Sequence, residues 1–202
     1  MLDDYYYYRK FPHLQPADGT FFITFRLYGS IPYVILKQYR EERAIILKRN
    51  PELLSDFHFN FEKTVFSKYD QIIENPKSGP QYLSNPGIAD IFVNAIHYND
   101  HKTYELICYT IMSTHVHIIL YEIKKPLFRI LQSLKRHTAR ESNKILKHEG
   151  AFWEKESYDN LVRDNDDLSV KINYVLQNPV KAGLVTNWED WKYTYCAKEF
   201  LD

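Results

Sequence analysis

His115 and His117 are the residues with the clearest capacity for chemistry. They stand two apart in Ser113-Thr114-His115-Val116-His117-Ile118, inside an apolar run from Leu106 to Leu120 that reads as strand, turn, strand. Side chains alternate faces along a strand, so both imidazoles project from one side while Val116 and Ile118 point to the other. Two imidazoles side by side on a rigid strand supply half of a divalent-metal site. The same pair also serves as two polar residues on a solvated face, and the spacing alone leaves both readings open. Tyr174 and Asn178 lie four apart in Tyr174-Val-Leu-Gln-Asn178-Pro179. They are therefore neighbours on one helix face, with Lys171 one turn before the tyrosine. At about 100° per residue, Tyr174 falls roughly 120° from the Leu168, Ile172 and Val175 stripe, and Asn178 somewhat closer to it. Both sit on the flank of the helix, free to meet the polar side of a strand. A phenol one turn before an amide able to complete a metal shell is a candidate nucleophile. A tyrosine so placed otherwise packs, as most of the 17 in the chain must.

The elements that position these groups are legible from periodicity. Residues 21–28 alternate, with Phe21, Ile23, Phe25 and Leu27 on one face and Phe22, Thr24, Arg26 and Tyr28 on the other, which predicts a strand. A helix is expected over about 37–49, halted at Asn50-Pro51, and 57–75 carries apolar residues at helical spacing before the loop Asn75 to Pro80. Further expectations are a helix over about 87–98, strands over 104–112 and 115–121, and a helix over 127–146. An extended stretch with a strand near 156–162 follows, and then a helix begins at Asp164-Asn-Asp-Asp. That last helix is expected to stop near Asn178, because Pro179 disfavours helix in the residue before it. This order predicts an α+β fold: a ferredoxin-like antiparallel sheet of about four strands with helices packed on one face, enlarged by a helical insertion over roughly 50–100. No repeat or linker divides the chain, so residues 1–202 read as a single domain.

Composition narrows the function classes. The chain holds 26 basic and 26 acidic residues and its formal net charge is zero, so any sign of nucleic acid must be local. It is local: from Lys124 to Lys147 there are eight basic residues against one acid, Glu141. Arg129, Arg136, Arg140 and Lys144 fall within roughly 80° of one another on a helix, a stripe that suits a phosphate track or, equally, a solvated face. Two cysteines, Cys108 and Cys196, make neither a disulfide framework nor a zinc knuckle, and they fit a reducing cytoplasm. No run approaches membrane-spanning length and the start lacks a basic, apolar leader, so a cytoplasmic protein with no membrane partner is expected.

Several ordered segments resemble the single-tyrosine HUH transposases, in particular the REP-associated tyrosine transposases, across most of the chain. They are Gly19-Thr-Phe-Phe-Ile-Thr-Phe-Arg-Leu27, Tyr109-Thr-Ile-Met-Ser-Thr-His-Val-His117, Leu134-Lys-Arg-His-Thr138, Phe152-Trp153, Tyr158-Asp-Asn-Leu-Val-Arg163 and Tyr174-Val-Leu-Gln-Asn-Pro-Val-Lys-Ala-Gly-Leu184. Two positions depart from the pattern: Ser113-Thr114 stands where Pro-Asn is usual, and Asn160 where a histidine often follows Tyr-Asp. The resemblance implies that His115 and His117 are paired metal ligands, Asn178 the third, and Tyr174 the nucleophile. It also implies a Mg²⁺ or Mn²⁺ cofactor and single-stranded or hairpin DNA as partner. Expected DNA contacts are Arg129, Lys135, Arg136, His137, Arg140, Lys144, Trp153, Arg163, Lys171 and Lys181, with Trp153 or the Tyr5–Tyr8 cluster stacking on bases. Related enzymes occur as monomers and as dimers, so a homodimer is one of two assemblies it allows.

Three other readings compete. Histidine-triad nucleotide hydrolases need a third histidine where this chain has Ile119. A domesticated hairpin-binding protein would keep the fold with little or no cleavage. A replication initiator or relaxase of the same superfamily would share the chemistry.

Overall fold

Two short strands, β1 (Tyr5–Tyr8) and β2 (Pro12–Gln15), pair antiparallel as a ribbon of their own. The computed structural model describes residues 5–8, 12–16, 18–38, 41 and 79–201. The helices expected over 37–49 and 57–75, and with them much of the enlarged region over 50–100, lie almost entirely outside the described residues.

The main sheet is antiparallel and five-stranded. Its strands are β3 (Phe21–Arg26), β4 (Glu105–Ile111), β5 (His115–Tyr121), β6 (Tyr158–Leu161) and β7 (Thr194–Cys196), in the spatial order β6-β3-β5-β4-β7. Strand β7, only three residues long, was not expected from the sequence. The helices are α1 (Pro86–Asn99), α2 (Leu127–Leu146) and α3 (Asn165–Lys181). Asn85 caps α1 by accepting from the Gly87 N–H, and Asp164 caps α3 by accepting from the Asp167 N–H.

The sheet is apolar on both faces, and this decides the layering. On one face Phe21, Ile23 and Phe25 of β3 and Val116, Ile118 and Leu120 of β5 pack under Ile88, Phe92 and Ile96 of α1 and Leu127, Ile130 and Leu134 of α2. On the other, Phe22, Ile107, Cys108 and Ile119 meet Ile172, Val175 and Leu176 of α3. The α+β antiparallel architecture is the expected one, but helices on one face describes α1 and α2 only. Left bare, Phe22, Ile107 and Ile119 would expose a second apolar face, and α3 covers it. A bulge in β4 enlarges that face. Leu106 opposes Leu120 while Cys108 opposes Ile119, so Ile107 is an extra residue and joins Cys108 beneath α3. Cys108 also lies directly across from Cys196 of β7, both as free thiols.

Helix α3 does not stop at Asn178. Pro179 lies inside it, two residues before the end of its span at Lys181. The terminus is set further on: the Gly183 N–H donates to the Val180 carbonyl (2.9 Å) and the Leu184 N–H to the Pro179 carbonyl (3.0 Å), with Gly183 at φ 68°. This Schellman closure needs a left-handed residue and outweighs the local bias of proline on its neighbour. Gly183→Ala is expected to lower unfolding stability by about 1 kcal/mol in urea titrations, through strain at that φ alone, since a methyl there meets no neighbour.

Candidate active site

Strand β5 carries the two histidines on the α3 side of the sheet, and both are fully buried. Their ring centroids are 4.7 Å apart, at 72°. Each ring is held at Nδ1 by a threonine hydroxyl: Thr114 Oγ1 lies 2.9 Å from His115 Nδ1, and Thr24 Oγ1 lies 2.6 Å from His117 Nδ1. Thr24 reaches His117 because the β3–β5 register sets them directly opposite one another. Phe22, two residues earlier on the same face, stacks on His117 at 5.6 Å and 20°.

Helix α3 brings the other two groups. The Tyr174 ring stands edge-on to His117, with centroids 5.3 Å apart, and also against Phe22 at 5.8 Å. Asn178, fully buried one turn later, turns toward the same strand and acts on His115 as a hydrogen-bonding neighbour. Exposed Lys181 completes the row, its Nζ 4.8 Å from the centre of the Tyr174 ring. The phenol, the amide and both imidazoles thus converge within one chain.

Burial sets the protonation of the pair. It pushes the His115 imidazole down to about 3, against a smaller upward pull from Asn178. It pushes His117 down as well, helped by positive charge on His115 and on Lys181. Both rings are neutral at physiological pH, so each has one ring nitrogen with a free electron pair. With both Nδ1 atoms held by threonine hydroxyls, two neutral imidazoles and a buried amide are a donor set that fits a divalent cation.

The same burial predicts acid lability of the metal-free protein. Unfolded histidine protonates near 6.5, whereas folded His115 does so only near 3, so between those values the unfolded chain binds more protons. Stability is fully present above about 6.5 and falls with pH by about 1.4 kcal/mol per pH unit for each buried histidine. Urea midpoints measured from pH 7 to pH 4 should show the decline, and a His115→Ala variant should show a shallower one.

The remaining expected residues divide. Arg129, Arg136, His137, Arg140 and Lys144 are exposed on α2, whose inner side packs on the sheet face opposite the imidazoles. The basic stripe and the histidine pair are therefore separated by the sheet. Arg140 and Lys144 both pair with Glu141, at 2.7 and 2.8 Å. Lys135 is half-buried and donates to the Glu154 carbonyl at 2.9 Å. Trp153 has no face to offer a base: it is 7% exposed, packs edge-on against Phe25, Phe92 and Phe152, and donates its indole N–H to Thr138. Lys171 pairs with Asp167 at 2.5 Å, and exposed Arg163 donates its backbone N–H to the same carboxylate. Of the cations expected to meet DNA, Lys181 is the one in contact with the Tyr174 ring.

Thr24, Thr114 and Phe22 belong to the site although sequence reading assigned them no role. The signal was present for two of them, since the alternation of β3 sets Phe22 and Thr24 on the face opposite Phe21 and Ile23. A second group with metal-type donors, Asp100, His101 and Glu105, lies elsewhere, its donor atoms within 4.8 Å of one another. Its members are already engaged. Glu105 accepts from Lys124 at 2.6 Å and pairs with His101, and Asp100 accepts the Leu106 N–H at 2.9 Å.

Comparison with known proteins gives a Haemophilus influenzae protein named for the REP-associated tyrosine transposases. It is 25% identical over 108 residues, which span 47% of this chain and 60% of that protein. By sequence, the chain is related to the REP-associated tyrosine transposases. The chain spans less than two thirds of this transposase relative. No protein-family model matches the chain. A solved REP-associated tyrosine transposase bound to a REP hairpin superposes with a TM-score of 0.49 and 15% identity, covering 93% of this chain and 80% of that one. Among the described residues, no helix is long and apolar enough to cross a membrane.

Proposed function

We propose that the chain is a metal-dependent transposase that cleaves and rejoins single-stranded or hairpin DNA through a 5′-phosphotyrosine intermediate. The observation that carries the reading is the contact of Tyr174 with His117, at 5.3 Å between ring centres, on a helix that also sets Asn178 beside His115. Bound by His115, His117 and Asn178, Mg²⁺ or Mn²⁺ would polarise the scissile phosphate and stabilise the charge developing on it.

The chain's own residues do the rest. Tyr174 Oη attacks phosphorus, forming a phenol–phosphate ester. The bond from phosphorus to the 3′ oxygen breaks, and the departing strand leaves as a 3′-hydroxyl carrying a proton. One phosphoester replaces another, so the energy of the backbone bond is retained, and attack by a 3′-hydroxyl reverses the step without ATP. Phe22 and the T-shaped ring contacts hold the phenol at a fixed distance from the imidazoles, which is the orientation part of the rate. Lys181 supplies positive charge where the phosphate would lie. The α2 cations, on the far side of the sheet, would meet a different part of the DNA from the cut strand.

The test is incubation of the protein with an end-labelled hairpin oligonucleotide and Mn²⁺ or Mg²⁺. A covalent adduct that survives denaturing electrophoresis and disappears in chelator is the expected result. A hairpin that is shifted in native gels but stays intact with every cation would sink the cleavage reading in favour of a binding-only protein.

A further inference from the structure

We infer that Thr24 and Thr114 are positioning residues that fix both histidines as the Nδ1–H tautomer, so that both Nε2 lone pairs face the shared space beside Asn178. The inference deepens the metal reading above and rests on it. Each is a buried hydroxyl, Thr24 at 5% exposure and Thr114 at 0%. Each lies on a ring nitrogen, at 2.6 Å for Thr24 with His117 and 2.9 Å for Thr114 with His115. They come from different elements. Thr24 reaches across from β3 and Thr114 immediately precedes β5, yet both end at the same atom type of their respective rings.

A hydroxyl can donate to an unprotonated Nδ1 or accept from a protonated one, and the choice decides what Nε2 carries. If the hydroxyls donated, Nε2 would bear the hydrogen on both rings. His115 Nε2 has the buried Asn178 side chain as its neighbour, so a hydrogen on Nε2 would turn toward the amide and occupy the place of a cation shared with it. If the hydroxyls accept, Nε2 carries an electron pair, which is what a cation site requires. Two imidazoles 4.7 Å apart, each clamped from behind, then converge without any rotation on cation binding. The usual partner behind a ligating histidine is a carboxylate, a carbonyl or water. Hydroxyls do the same work here while adding no negative charge to the site.

The experiment reads the tautomer directly. Protein labelled with ¹⁵N in histidine, free of metal at pH 7.5, gives long-range proton–nitrogen spectra in which protonated and unprotonated ring nitrogens are well separated. Protonated Nδ1 with unprotonated Nε2 on both His115 and His117 is the expected result, and protonated Nε2 on either ring would overturn the assignment. Thr24→Val should disturb His117 and leave the His115 signals in place, with Thr114→Val doing the converse. Each should weaken binding of Mn²⁺ alone by about 10- to 100-fold by calorimetry, while Thr24→Ser restores it. Wild-type affinity in both valine variants would equally overturn the positioning role. The spectra of the wild type decide the tautomer even if a valine variant misfolds. Failure of wild-type protein to bind Mn²⁺ would count against the metal reading and leave the tautomer result to stand separately.

Discussion

Tyr174→Phe is expected to bind a hairpin oligonucleotide as the wild type does and to form no covalent adduct with it at any time or with either cation. The substitution removes one oxygen. The ring keeps its edge contacts with His117 and Phe22, both of which are made by carbon, so the helix should stay in place. Stability should change by less than about 1 kcal/mol, because the residue is only partly buried. What is lost is the phenol oxygen proposed to attack a phosphate at the imidazoles. Denaturing gels read the adduct and native gels read the binding. An adduct that persists in Tyr174→Phe would move the nucleophile elsewhere and dissolve the proposed mechanism.

The second large effect is expected from the histidines. His115→Ala combined with His117→Ala should abolish Mn²⁺ binding in calorimetry and reduce cleavage on the order of 1,000-fold or more, corresponding to about 4 kcal/mol of barrier. Hairpin affinity should survive, since the exposed cations of α2 lie across the sheet from the altered rings. The variant should also lose much of the acid lability predicted above, because the two groups that unfolding would protonate are gone. A double variant that no longer folds at pH 7 would indicate that the pair is there for packing, and intact cleavage without it would remove the metal from the mechanism.

Much of this was readable before any coordinates, and the reasons are local. The helix over 127–146 and the strand over 115–121 fall where periodicity sets them, because their apolar residues recur at one unmistakable period and their ends carry clear breaks. The Asp164 cap was visible as a cluster of short acidic and amide side chains. The flank position of Tyr174 followed from helix geometry alone, and the ring does turn to the strand. The misses are of a different kind. That α3 covers the reverse face could not be read from its own stripe, since an amphipathic helix does not say which side of a sheet it will take. The clue lay in β3 and β5, which are apolar on both faces. The end of α3 was misjudged because a proline rule that concerns one neighbour was set against a glycine closure that satisfies two carbonyls. Trp153 was assigned to DNA on its ring alone, and the phenylalanines that bury it come from distant parts of the chain. The departure at Ser113-Thr114 stands out in the sequence without showing what the threonine would touch. In the folded chain its threonine touches a ring nitrogen of His115.

The sheet works as a partition. Among the described residues, the larger cluster of buried apolar side chains knits α1 and α2 to the strands behind it, and a smaller one, with partly buried Leu168 and Tyr174 packed against it, fastens α3 in front. The phenol and the amide share that helix, so any excursion of it withdraws both together and leaves the imidazoles on β5 with Thr24 of β3 and Thr114 beside them. Disarming the centre therefore requires no loss of the main fold, and a chain that had ceased to cut could still look native by every global measure of structure.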